Sequence, residues 1–318
     1  MSRAPLIRFS DLVGLEGVRD TLCDRARSGQ SALTLLLVGP EGAGKRSLAR
    51  AWVAWLCCPA GRDSNEACGR CRTCVQLAAG SYPDALWIEV AGGKREIGIE
   101  RARELKRFLT FAPVQGDLRV GVIENADCLT IAAQNALLKV LEEPPPRTWL
   151  LLTSSTPDSL LPTVRSRCQR IAVPPLSPTQ LREALTRHGV PPETIETLLP
   201  LAEGSVGRAL KLHQHVRADF VTTTANFLAG IGQARYAAIA RFAEELNRDD
   251  AGLEARLQVM LAILREQVVK SCSNRPAARA AAARGAILLQ AWRTLRESYA
   301  NRQLLIESML LEMASAEP

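Results

Sequence analysis

The stretch Gly39-Pro40-Glu41-Gly42-Ala43-Gly44-Lys45-Arg46 decides the fold of this chain. It follows an apolar run from Leu33 to Val38 and precedes an amphipathic segment, 47–56. A strand, a glycine-rich turn and a helix together form a phosphate-binding loop, in which backbone N–H groups and the helix N-terminus attract an anion. The glycines that allow the tight backbone, and the lysine expected to reach the terminal phosphates, are Gly39, Gly42, Gly44 and Lys45.

Arg46 departs from this motif, which has serine or threonine at that position to hold Mg²⁺. A guanidinium group cannot ligate a metal and repels one. Ser47 is no substitute, because one further helical residue turns its side chain by about 100°. The sequence therefore predicts the architecture of an NTPase with a damaged metal site.

Length and composition favour a multidomain globular protein. With 318 residues, two or three domains are expected, and the composition of 47% hydrophobic and 23% charged residues is typical of globular chains. No apolar run reaches the roughly 18 residues of a membrane span, and the N-terminus lacks a signal-peptide core, so we expect a cytoplasmic protein without membrane contact. The formal net charge of +7 permits nucleic-acid contact without requiring it.

Four cysteines follow the helix of the phosphate loop at metal-ligand spacing. Reducing cytosol argues against a disulfide framework, so such a tight cluster indicates a metal. Four thiolates suit a tetrahedral structural Zn²⁺ site with no open position. Cys57 is an alternative first ligand, and spacing alone does not separate it from its neighbour. The predicted ligands are Cys58, Cys68, Cys71 and Cys74.

Short apolar runs alternate with helical patterns as far as the prolines at 174–178. This alternation predicts a parallel sheet covered on both faces, and from about residue 216 only helical stripes remain. The predicted strands cover 33–38, 85–90, 119–124, 149–152 and 170–173.

The end of the third predicted strand carries a second departure from NTPase chemistry. Glu124 is followed by Asn125, whose amide cannot accept a proton from an attacking water. Asp127 is acidic but lies beyond the strand. The hydroxyls of 153–155 are interpreted as helix caps before Leu160.

The segment Asn135-Ala136-Leu137-Leu138-Lys139-Val140-Leu141-Glu142-Glu143-Pro144-Pro145, followed by Ser166-Arg167-Cys168, resembles the clamp-loader branch of AAA+ proteins. The inserted cysteines narrow this resemblance to the clamp loader of bacterial DNA polymerase III, and the segment 301–307 extends it to the last helix. The resemblance implies an α/β fold in three parts. They are an AAA+ P-loop domain with a parallel five-stranded sheet (1–173, zinc insertion 58–74), a small helical lid domain (174–215) and an all-helical collar domain for oligomerisation (216–318).

Departures within this family resemble the non-hydrolysing delta-prime type rather than the gamma/tau motors. Motors have threonine in place of Arg46 and Asp-Glu in place of Glu124-Asn125, and Gly207 stands where their second sensor arginine lies. The resemblance also favours Cys58 over Cys57 as the zinc ligand. Since the loop glycines and Lys45 are retained, ATP or ADP binding without hydrolysis stays open.

Arg167 is retained, and the resemblance implies that it acts as a trans arginine finger at the ATP site of a neighbouring subunit. From the residues alone, an arginine that pairs with a nearby acid or caps a helix is the alternative. The implied partners are the gamma/tau ATPase subunits and the delta subunit, with the sliding clamp and primed DNA met through the complex at the replisome. An active ATPase of the same fold and a DNA-binding module are the competing hypotheses.

Overall fold

The computed structural model describes residues 6–28, 32–92, 94–271, 274–297 and 301–316. Its strands are β1 (Ala32–Val38), β2 (Ala85–Ile88), β3 (Arg119–Ile123), β4 (Thr148–Ser154) and β5 (Gln169–Ala172). They form one parallel sheet in the order β2-β3-β4-β1-β5. The α/β prediction with a parallel five-stranded sheet is thus confirmed.

Most of the other described residues are helical. None of the helices in the described ranges combines the length and the apolar content needed to span a membrane. The α-helices are α1 (Glu16–Arg27), α2 (Lys45–Cys57), α3 (Gly61–Ser64), α4 (Arg72–Ala78), α5 (Ile99–Thr110), α6 (Ile131–Glu142), α7 (Pro162–Arg165), α8 (Pro178–Arg187), α9 (Pro192–Ala202), α10 (Val206–His215), α11 (Ala218–Gly230), α12 (Tyr236–Leu246), α13 (Asp250–Lys270), α14 (Arg275–Glu297) and α15 (Arg302–Ser315).

The central strands β1, β3 and β4 are buried almost throughout, whereas the edge strands β2 and β5 are partly exposed. This difference explains the sequence pattern, because a parallel strand covered on both faces reads as a continuous apolar run. Trp52 on α2 packs against Trp149 on β4, with ring centroids 5.5 Å apart. The sheet therefore supports α2 and with it the phosphate loop.

Two strands, β4 and β2, differ in length from the sequence prediction by more than one residue. β4 is longer than the predicted 149–152, because Thr148 to Ser154 pair residue by residue with β1. β2 ends at Ile88 rather than at 90, because only four of its residues pair with β3. Backbone pairing determines where these strands end, and the apolar content of the sequence does not predict that pairing.

The chain divides into two compact units. The first contains the residues up to 184 together with 204–207, and the second contains 185–203 and the residues from 208 onward. The sequence-based division at 173 and 215 differs from this grouping and stays a prediction. Within the second unit, α13 packs against α14, and α15 packs against α12 and α14.

Arg256 stabilises the connection between α12 and α13 through hydrogen bonds. Its guanidinium is buried and donates to the Leu246 carbonyl at 2.9 Å, the Asp249 carbonyl at 2.8 Å and Asp249 Oδ2 at 2.9 Å. Asp249 also caps α13 by accepting a hydrogen bond from the Gly252 amide. The hydrogen bond from Arg256 and the cap bond lower the pKa of Asp249, which is therefore ionised at neutral pH.

Arg256→Met is expected to lower the free energy of unfolding by about 2–3 kcal/mol, because it leaves two carbonyls and a carboxylate without their donor. Arg265→Met is the matched control, since that arginine is exposed and its ion pair with Glu203 contributes about 0–1 kcal/mol. Urea unfolding followed by circular dichroism measures both variants, and equal midpoints for the two would contradict the role given to Arg256.

Candidate functional site: a phosphate loop with an internal counter-ion

The phosphate loop joins β1 to α2 and has the backbone that the motif requires. Gly44 adopts φ +87°, a left-handed conformation in which a side chain is strained. Gly39 must lack a side chain, because a Cβ there would lie 2.1 Å from the Val173 carbonyl oxygen. The predicted cradle residues therefore lie together at the carboxyl end of β1.

Lys45 is buried within the loop that it was predicted to serve. Its ammonium group donates to the Gly39 carbonyl at 2.7 Å, the Pro40 carbonyl at 2.8 Å and Ser155 Oγ at 2.9 Å. Burial lowers the pKa of Lys45, and the nearby Asp127 and Glu41 carboxylates oppose that shift. All three ammonium protons thus have acceptors within the protein, and the cradle is closed on its own lysine.

Arg46 occupies the place of the missing metal ligand and supplies a positive charge there. Its Nε lies 2.7 Å from Glu124 Oε2, and one terminal nitrogen lies 2.9 Å from Glu89 Oε2. Arg50, one helical turn further on, lies 3.7 Å from the other oxygen of Glu124 and stacks over the Trp87 ring. Two guanidinium groups and two carboxylates therefore form a balanced cluster.

Glu124 is the buried member of this cluster, with 4% of its surface exposed. Burial raises the pKa of its carboxyl group, and the charges of Arg46 and Arg50 act in the opposite direction. A carboxylate in this position needs a cation, which Mg²⁺ provides in a hydrolysing enzyme and Arg46 provides here.

The hydroxyl groups after β4 do not cap a helix, so that sequence interpretation is wrong. Thr153 Oγ1 accepts a hydrogen bond from the backbone N–H of Asn125 at 2.9 Å, and Ser155 Oγ accepts one from the Lys45 ammonium group. Asp127 in turn accepts bonds at 3.3 Å from the Ser155 amide and the Thr156 hydroxyl. These contacts tie the ends of β3 and β4 to the phosphate loop.

Gly207 stands at the predicted second-sensor position and touches the phosphate loop through its backbone. Its amide donates to the Gly42 carbonyl at 3.2 Å. The next residue, Arg208, pairs with Glu203 at 2.7 Å. The described contacts therefore place the backbone of Gly207 beside the loop at this point.

Arg167 follows α7 and is held by Glu142 at the end of α6. Two of its nitrogens lie 2.9 and 2.8 Å from Glu142 Oε2, and a third donates to the Thr163 carbonyl at 3.0 Å. The Arg167 side chain is 29% exposed and that of Glu142 is 57% exposed. This pairing is the alternative that the residues alone allowed, and the finger role stays a prediction.

The four predicted ligand cysteines come together in one cluster. The sulfurs of Cys58, Cys68, Cys71 and Cys74 all lie within 4.8 Å of one another. The Cys58–Cys71 and Cys68–Cys74 sulfur pairs are each 4.0 Å apart, close to the roughly 3.8 Å expected for metal–thiolate bonds of about 2.3 Å in a tetrahedron. This cluster could hold a metal ion.

Backbone hydrogen bonds favour the thiolate form of Cys68, whereas burial raises the pKa of Cys58 and of Cys74. The amides of Cys68, Cys71 and Cys74 each donate to the sulfur of another cluster cysteine at 3.4 Å. Hydrogen bonds from the Arg70 and Cys71 amides lower the pKa of Cys68 to about 6. Cys57 ends α2, and among the described residues it is the sulfur of Cys58 that lies together with those of the other three cysteines, so geometry agrees with Cys58 as the cluster member.

The sequence does not indicate which side chains pair with three of the predicted site residues. Glu89, Ser155 and Glu142 are the partners of Arg46, Lys45 and Arg167, respectively. Each lies on a different element from the residue that it pairs with, between 25 and 110 positions away. Only the three-dimensional fold brings these pairs together.

The parallel sheet and the glycine-rich loop between β1 and α2 together give this chain the architecture of a P-loop protein, with Arg46 paired to Glu124 beside the loop. The chain resembles the crystal structure of a DNA polymerase III gamma subunit-related protein from Thermotoga maritima, with a TM-score of 0.51 and 16% identity over 94% of this chain and 99% of that one. At this identity the likeness shows the fold alone, and it agrees with the AAA+ prediction.

Sequence comparison gives the family. Residues 15–177 match the family model described as "DNA polymerase III, delta subunit". The chain belongs to this family, and the prediction of a delta-prime type is confirmed by the match together with its relatives. DNA polymerase III subunit delta′ of Pseudomonas aeruginosa is 40% identical over 58% of this chain and 56% of that protein. DNA polymerase III subunit gamma/tau of Mycobacterium bovis is 35% identical over 56% of this chain and 31% of that protein.

The chain spans about half the length of the curated delta′ relatives that it matches.

The purified chain is expected to contain about one metal ion, because four sulfurs already lie at near-tetrahedral spacing. Cys74→Ser should lower this metal content severalfold, since a neutral hydroxyl is a poor replacement for a thiolate. Elemental analysis by mass spectrometry measures the ratio of metal to protein.

Cys23→Ser is the matched control, because Cys23 is a buried thiol on α1 that is not in the cluster. Its metal content should equal that of the wild type. A folded wild-type preparation without metal would exclude the site.

Proposed function

We propose that this chain is a non-hydrolysing subunit of the DNA polymerase III clamp loader. It assembles with gamma/tau ATPase subunits and a delta subunit at the replisome, through the helices from 216 onward, and takes part in loading the sliding clamp onto primed DNA. The family match supports the complex, and the site geometry supports the absence of hydrolysis.

The contact of Arg46 with Glu124 carries this proposal. A guanidinium group lies where the metal of a hydrolysing enzyme would meet the acidic end of β3. Mg²⁺ binding there would require this ion pair to break and two positive charges to lie side by side. Asn125 supplies no carboxylate for activating water, so loss of the metal and loss of the base reinforce one another.

For the cysteine cluster we propose a structural Zn²⁺ site formed by Cys58, Cys68, Cys71 and Cys74. Zinc accepts four thiolates in a tetrahedron, and four protein ligands leave no position for substrate or water. Its contribution is to order the loop 58–74, which has few buried apolar residues of its own.

For Arg167 we propose the role of an arginine finger that acts in trans. Its partner Glu142 is largely exposed, so a neighbouring subunit that presents a nucleotide can compete for the guanidinium group at small cost. Such fingers increase phosphoryl-transfer rates by roughly 10³–10⁵ in GTPases.

An active ATPase is the second candidate, supported by the intact backbone of the phosphate loop and the presence of Lys45. A DNA-binding role within the assembly is compatible with the net charge of +7. The two experiments below separate the first two candidates, and salt-dependent DNA binding by the isolated chain would favour the third.

The purified wild-type chain is expected to show no Mg²⁺-dependent ATP turnover, because Arg46 blocks the metal position. Arg46→Thr is expected to show none either, since Asn125 still lacks a carboxylate. Phosphate release, measured on protein shown to be folded, checks both. Turnover by the wild type that Lys45→Ala abolishes would establish the ATPase alternative.

In the reconstituted complex, Arg167→Ala is expected to lower DNA-stimulated ATP turnover severalfold while leaving assembly intact, because one site loses its finger. Arg165→Ala is the matched control, as this arginine lies two residues before Arg167, at the end of α7, and pairs with Asp158. Size-exclusion chromatography reports assembly. Unchanged turnover with Arg167→Ala would rule out the finger.

A further inference from the structure

The segment 6–15 connects the cysteine cluster to the phosphate loop. At one end, Leu6 packs against the cluster residues. At the other end, the buried Leu15 lies against the loop, where a Cβ placed on Gly44 would be 3.1 Å from Leu15 Cδ1. Between the two sites runs α2, whose 13 residues span about 20 Å. The segment thus lies between two sites that are remote from each other along this helix.

Glu66 joins the metal loop to this segment. Its two carboxylate oxygens accept hydrogen bonds from the Phe9 amide at 2.9 Å and the Ser10 amide at 3.0 Å. The neighbouring Asn65 accepts a hydrogen bond from Arg27 at the end of α1. Two successive residues of the metal loop therefore hold the N-terminal part of the first unit.

The position of Glu66 depends on the cysteines around it. It lies between Cys58 and Cys68, two members of the cluster, and among the side chains described between these two cysteines Ala67 is the one buried aliphatic residue. So little apolar burial does not order a loop, whereas a metal that links Cys58 to Cys68 fixes both of its ends. The metal then holds in place the two Glu66 carboxylate oxygens that accept hydrogen bonds from Phe9 and Ser10.

The segment also packs along α2 between its two ends. The Phe9 ring lies 6.3 Å from the Trp55 ring, and Phe9 is buried. The Trp55 ring also carries the Arg27 guanidinium at 5.5 Å. Release of Phe9 would therefore uncover part of α2 and loosen the residues that lead to Leu15.

We propose that the metal loop is a latch that holds the segment 6–15 against α2 and the phosphate loop, with Glu66 as its connecting residue. This inference rests on the proposed metal site. Metal binding at the cysteine cluster then controls the order of the segment and, through Leu15, the packing of the phosphate loop about 20 Å away. Glu66 is a positioning residue and touches no nucleotide or metal.

Hydrogen exchange followed by mass spectrometry or NMR tests the latch on the full chain. Removal of the metal by a chelator is expected to accelerate exchange of the Phe9 and Ser10 amides about tenfold, because each loses a charged acceptor. Exchange around Leu15 should accelerate as well. Unchanged exchange at Phe9 and Ser10 after proven metal loss would overturn the latch while leaving the metal site intact.

Glu66→Gln separates the latch from the metal. The variant should retain about one metal ion per chain, exchange rapidly at Phe9 and Ser10 even when loaded, and show little further acceleration with chelator. If chelation unfolds the whole chain, exchange in β1 and β4 will also become rapid. The comparison of metal-loaded Glu66→Gln with metal-loaded wild type then tests the latch without chelator. An equal chelator effect in variant and wild type would overturn the role of Glu66.

Asp11→Asn is the matched control. Asp11 accepts a hydrogen bond from the Arg8 amide within the same segment, at 2.8 Å. Its loss should leave exchange at Phe9 and Ser10 sensitive to chelator. A folded protein without metal would overturn the latch and the metal site together.

Discussion

The ion pair between Arg46 and Glu124 is the interaction on which the rest of the site depends. A carboxylate buried to this degree is stable as an anion only beside a cation, and the protein supplies that cation from the first turn of α2. A bound metal would come and go with the nucleotide, whereas a side chain is permanent. The electrostatic balance at the end of β3 is therefore independent of ligand, and the surrounding strands can keep one arrangement.

The phosphate loop also stabilises the fold through its own hydrogen bonds. Lys45 links the loop carbonyls of Gly39 and Pro40 to Ser155 at the end of β4. Gly207 adds a backbone bond to Gly42 from α10. These contacts connect β1, α2, β4 and the start of α10 at one point. The loop thus links several elements of the first unit, and its glycines and lysine contribute to the structure apart from binding phosphate.

The parts of this molecule that follow from local pattern were predictable. Apolar runs gave the strands, the loop motif gave the start of α2, and cysteine spacing gave a cluster whose four sulfurs lie together. Ion-pair partners were not predictable, because Glu89 lies in no motif and the motif that contains Glu142 does not indicate that this carboxylate pairs with Arg167. Ser155 was misread as a helix cap, since its acceptor role depends on a lysine 110 residues away. Pairs between residues far apart in the chain depend on the fold, and they leave no periodic pattern in the sequence from which they could be predicted.

One helix, α2, begins at Lys45 of the phosphate loop and is followed directly by Cys58 of the cysteine cluster. Both ends are fixed, so the number of residues between them sets the phase at which a sulfur reaches the cluster. An insertion of one residue would turn Cys58 away by about 100° and move it 1.5 Å along the axis. It would also bring Cys57 into the position that Cys58 had left. The adjacent pair of cysteines therefore gives this helix a tolerance to a one-residue insertion that a single cysteine would not provide.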